Sequence, residues 1–167
     1  MIDIRPEDFR HQVTLPSDIA SIARATSFVA GILAEAGAPP AFIGTMRLVV
    51  DEAVANAISH GGGGGEEEVI VLSAQVIDGV LQILVEDFHG RMFDPEYFRR
   101  IARVKERGKG GLGILIMESL MDHMAYLIEE GSHTMLFLQK TLPPPTPRTP
   151  ASENVPGHPQ PSGGTRP

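Results

Sequence analysis

Glu52, Asn56 and His60 stand four residues apart in the stretch "DEAVANAISHGGGGG", residues 51–65. Side chains at that step lie one above another on a helix, about 6 Å apart along its axis. The three therefore form one polar stripe without Lys or Arg. Val50, Val54, Ala57 and Ile58 cover much of the other side of the same segment and suit a core. A solvated helix face gives the same pattern. The chemistry on offer is that of a carboxylate and an amide oxygen on one face. Glu52 can take a proton from a hydroxyl, and Asn56 can ligate a hard cation such as Mg²⁺. The glycines at 61–65 read as a flexible exit from the helix.

Two further segments carry chemistry. In "LVEDFHGRMFDP", Asp87 falls where a strand ends and Gly90 allows a turn. A carboxylate in that place can accept a hydrogen bond from an exocyclic amine such as that of adenine. A turn-capping Asp would look the same. In "GKGGLG", residues 108–113, the spacing matches G-x-G-x-x-G. A dinucleotide fold needs a strand before that motif. Here "FRRIARVKER" precedes it, which reads as a basic helix and loop. No Ser or Thr follows Lys109, so it is not a P-loop either. What remains is physical. Glycines let the backbone approach an anion, and the N-terminus of a helix starting near Leu112 favours negative charge. Lys109 adds a charge contact to phosphate. A flexible glycine-capped loop is the blander alternative.

The elements that must position these groups follow from pattern. "FRHQVTL" alternates as a strand near 9–15. "PSDIASIARATSFVAGILAEAG" reads as a helix with Ser17 or Asp18 as N-cap, Ile22, Val29 and Leu33 on one face, and Gly37 as its stop. "PPAFIGTMRLVVDEAVANAISHG" is a second helix, entered through Pro39-Pro40 and ended at Gly61. Asp78-Gly79 marks a hairpin between two strands. "DPEYFRRIARVKER" is a short amphipathic helix, "GKGGLGILIMESLMD" a glycine loop opening a helix, and Glu130-Gly131-Ser132 the turn of a second hairpin. This order predicts an α+β two-layer sandwich, with helices on one face of a mixed, largely antiparallel sheet.

Composition sets the outer limits. The chain has 167 residues, room for one domain with a tail. No cysteine is present, so disulfides and thiolate metal sites are excluded. A net charge of −7 argues against a nucleic-acid partner held by phosphate contacts. The N-terminus has no apolar core of a signal peptide, and no run approaches the ~20 apolar residues of a membrane span. Cytoplasmic residence is the expectation. After Leu142 the sequence becomes rich in Pro, Ser, Thr and Gly, so 1–142 is expected to be the folded domain and 143–167 a disordered tail.

Taken in this order, the segments resemble the GHKL (Bergerat-fold) ATPases with their histidine-kinase-like ATPase domain. Within them the sequence is similar to the anti-sigma-factor serine/threonine kinases of bacterial partner switching. "DEAVANAISHG" looks like the N-box, "VEDFHGRMFDP" like the first glycine box, "GGLGILIMESLMDHMAY" like the second, and "GSHTMLFLQK" like the closing hairpin. The resemblance implies ATP and Mg²⁺ as cofactors, Glu52 as general base and Asn56 as Mg²⁺ ligand. It implies Asp87 on adenine, with Gly90 in its box. Lys109, Gly110, Gly111, Leu112 and Gly113 would lie at the phosphates. It implies phosphorylation of a small STAS-like antagonist protein, with a sigma factor held in the other state, and a homodimer. His89 stands where the first glycine box usually has its glycine. That departure favours a second reading, a nucleotide-gated binding module with little or no kinase activity.

Overall fold

The computed structural model describes residues 4–61, 68–88, 112–129 and 133–144. A 3-10 turn at Pro6–Asp8 leads into strand β1, His11–Pro16. Helices α1 (Ala20–Glu35) and α2 (Pro40–Gly61) follow, then strands β2 (Val69–Ile77) and β3 (Val80–Asp87). Helix α3 (Leu112–Leu120) and strands β4 (His123–Glu129) and β5 (His133–Thr141) complete the order. The expected helix at 94–107, the glycine exit after Gly61, the turn at 130–132 and the tail from 145 lie outside the described residues.

Local chemistry accounts for the element ends. Asp18 caps α1: its Oδ1 accepts from the Ser21 amide at 2.9 Å. Gly37 ends the helix with φ +76°. The Gly37 amide donates to the Ala34 carbonyl and the Ala38 amide to the Leu33 carbonyl, the paired bonds of a Schellman stop. Pro40 opens α2, where its fixed φ fits and its missing N–H costs nothing. Asp78 (φ 51°) and Gly79 (φ 75°) are both left-handed, as a two-residue hairpin turn requires.

The five strands form one sheet in the order β1-β2-β3-β5-β4, and all four pairings are antiparallel. The helices cover one face. Val29 and Leu33 of α1, Met46, Val50 and Val54 of α2, and Ile114 and Met117 of α3 are buried there. They meet Leu15, Leu72, Ile83 and Leu138 from the sheet. Ile22, expected on one face with Val29 and Leu33, and Ile58, expected in the core, both pack at its margin. The fold is therefore the expected two-layer α+β sandwich, with a sheet that is antiparallel in every described pairing and not mixed.

The other face carries no described helix. Gln12 donates from Nε2 to Ser73 Oγ at 3.0 Å, and Gln75 donates from Nε2 to Gln82 Oε1 at 2.9 Å. The Arg10 amide donates to Gln75 Oε1. Ile4, Arg5, Asp8 and Phe9 line a cleft over Gln75, Gln82 and Phe137 on this side. Ser73, Gln75 and Phe137 are buried.

Candidate active site

α2 supplies the polar row and β3 the strand-end carboxylate. Val50, Ala53, Val54 and Ala57 turn α2 toward the sheet. That orientation leaves Glu52 and Asn56 half-buried on the margin of the helix layer. His60 follows one turn later by backbone position. On β3, Leu81, Ile83 and Val85 all enter the core. Strand alternation then places Asp87 on the same, helix-covered face. Its register neighbours are Ile70 and Thr134, at the end of the sheet away from the Asp78-Gly79 turn. Glu52, Asn56 and Asp87 thus face one side of the sheet.

α3 approaches Glu52. A Cβ added at Gly113 would overlap Oε2 of Glu52 and lie 3.1 Å from its Cδ. The first turn of α3 and the middle of α2 are in direct apposition at this point. Leu112, the first residue of α3, is largely exposed. Of the residues the sequence assigned to the nucleotide, Glu52, Asn56, Asp87, Leu112 and Gly113 are described. Gly90, Lys109, Gly110 and Gly111 lie outside the described residues, as does His89.

The electrostatics differ along the row. Burial, and then the adjacent Asp51 carboxylate, hold the Glu52 carboxyl above the usual glutamate range. Asp51 was not singled out from the sequence, although its adjacency to Glu52 was the available signal. Among the described residues, the Asn56 Nδ2 is buried with no hydrogen-bond partner. An amide can present either its nitrogen or its oxygen inward at such a place. An amide oxygen turned to that place would suit a cation. Among the described residues no three His, Cys, Asp or Glu gather as a metal cluster. The donor set fits Mg²⁺, which takes few protein ligands and relies on phosphates and water for the rest.

The "LMD" stretch at the end of α3, residues 120–122, has a structural role. Asp122, just after α3, receives the Lys140 ammonium at 2.8 Å on Oδ1 and the Thr141 amide at 2.7 Å on Oδ2. These bonds lower its carboxyl to about 2. They fasten the exit of α3 to the far end of β5, and nothing in the local pattern had indicated this.

Residues 15–140 match the family of the histidine kinase-like ATPase domain. The chain belongs to that family. The matched span runs from β1 to β5 and takes in the whole row on α2. Among curated relatives, the anti-sigma F factor of Geobacillus stearothermophilus is 30% identical over 131 residues, covering 77% of this chain and 88% of the relative. The serine-protein kinase RsbW of Staphylococcus aureus is 28% identical over 134 residues, covering 75% and 82%. Among solved structures, a chain of the SiaB-SiaC complex from Pseudomonas aeruginosa superposes with a TM-score of 0.61 at 15% identity. That match covers 78% of this chain and 89% of the other. It shows a shared fold. No helix among the described residues is long and apolar enough to cross a membrane.

Proposed function

We propose that this ATPase domain is an ATP-dependent protein serine/threonine kinase. It phosphorylates a small antagonist protein in a partner-switching pathway, works as a homodimer, and holds a sigma factor or comparable regulator in its other state. The observation that carries the reading is the apposition of the Glu52 carboxylate and the first turn of α3 at Gly113. It puts a proton acceptor beside the helix N-terminus that favours phosphate. The anti-sigma and serine-kinase relatives extend over most of the same span.

The chemistry follows from the placement. The acceptor hydroxyl oxygen bonds to the γ-phosphorus, the bond from that phosphorus to the ADP oxygen breaks, and the hydroxyl proton passes to Glu52. The raised basicity of Glu52 suits that task. Asp87 holds the adenine amine, and Asn56 presents its amide to Mg²⁺. When bound, Mg²⁺ neutralises charge on the phosphates. Leu48, one turn before Glu52, and Leu112 are both exposed apolar side chains. They give a protein substrate something to rest on beside the base.

Glu52→Ala tests the assignment. ATP affinity, read by calorimetric titration, should stay nearly intact. Transfer to the antagonist should fall by ~10²–10⁴-fold, the usual contribution of a general base. Transfer at the wild-type rate would remove Glu52 from the mechanism. ATP binding with no transfer in the wild-type chain, offered its antagonist, would favour the nucleotide-gated binding module.

A further inference from the structure

Gly113 is unlike the other described glycines. Gly37 and Gly79 hold positive φ, which explains their identity. Gly31 and Gly44 have open space where a Cβ would go. Gly113 has no positive φ, yet a Cβ there would meet three atoms that all belong to Glu52: Oε2, Cδ at 3.1 Å and Cβ at 3.5 Å. A side chain is missing where the base needs the room. From its place in the glycine motif, Gly113 would be read as making space for phosphate. The neighbour the structure gives it is the carboxylate.

We propose that Gly113 is a positioning residue for Glu52, setting through its bare Cα where the carboxylate rests against α3. The phosphate side of the pocket and the base are then linked by one contact, so a shift of the first turn of α3 relocates the proton acceptor. The overlapping atom is the far end of a flexible side chain. Gly113→Ala is therefore met by a swing of the Glu52 carboxylate and not by a displaced backbone. Alanine also suits a helix turn better than glycine, so the fold should tolerate the change.

This inference rests on the reading of Glu52 as the base, and a double-mutant cycle separates the two. Gly113→Ala should lower transfer by ~10²-fold, the cost of misplacing a catalytic group by ~1 Å. ATP affinity and thermal midpoint should stay close to wild type. The acid limb of the rate should move to lower pH, because a carboxylate turned toward water loses the burial that raises its pKa. In the Glu52→Ala background, Gly113→Ala should change transfer by less than ~2-fold, since the group it displaces is gone. Loss of ATP affinity from Gly113→Ala, equal with Glu52 present or replaced, would overturn the proposal and return Gly113 to a phosphate-cradling role. Additive losses of transfer would also overturn it while leaving Glu52 as the base. Unimpaired transfer by Glu52→Ala alone would remove the base itself, and the proposal with it.

Discussion

A carboxylate kept partly from water, with a second carboxylate beside it, ionises late and binds its proton well once ionised. Glu52 is such a group. In its proposed role as base it must be ionised, so the transfer rate should rise with pH through a midpoint above that of an ordinary glutamate. Asp51→Asn removes the like charge and should move that midpoint down; a rate-against-pH series on both proteins checks it. The effect on stability has the opposite sign. A raised folded-state pKa gives stability that is fully present below the unfolded pKa and is lost as pH rises through the folded one. Glu52 therefore works against the fold at neutral pH, as a functional carboxylate commonly does. The row of Glu52 and Asn56 was legible because i, i+4 spacing is local. The apposition of Gly113 and the carboxylate was not, because it joins two helices distant in sequence.

At the scale of elements, legibility followed chemistry that acts over a few residues. Asp78-Gly79 announced its hairpin because few residue pairs accept two left-handed conformations. Asp18 and Gly37 announced the ends of α1 for similar reasons, one by its acceptor oxygen and one by its free φ. Asp122 is the contrast. Its partners, Lys140 and Thr141, lie a hairpin away. Its low carboxyl value is bought by those bonds, so the stabilisation is present above the unfolded carboxylate pKa and is lost as pH falls toward about 2. Asp122 is exposed and Lys140 half-buried, so solvent weakens the ion pair, and the Thr141 amide bond adds to it. Asp122→Ala should lower the thermal midpoint by a few degrees at neutral pH, and the gap from wild type should close as pH approaches about 2. A melting series across pH measures both. A gap independent of pH would mean that packing, not the ionised carboxylate, holds the exit of α3.

For the whole molecule, the layer arrangement was legible and the strand order was not. Periodicity says that five segments are strands; it does not say that β5 inserts between β3 and β4. The cleft of Ile4, Arg5, Asp8 and Phe9 over the glutamine face was equally hidden, since it depends on a return of the chain to a surface formed much later. At the other end, the Leu142 amide donates to the Gly79 carbonyl at 2.8 Å and the side chain packs at the core margin. A chain cut after Leu142 should keep its thermal midpoint and ATP affinity, because 143–167 has almost no apolar surface to bury. A cut before Leu142 should lower the midpoint. The strand directions have a mechanical consequence. β1 and β5 run antiparallel, so the chain enters β1 and leaves β5 toward the same end of the sheet. That end is roughly 24 Å, the length of β3, from Asp87. Tension applied through the two ends acts across the strands and opens their hydrogen bonds in succession, as a zipper does. Such a domain yields to a weak pull, and it yields first at the hairpin end, with the end of the sheet that carries Asp87 the last part to come apart.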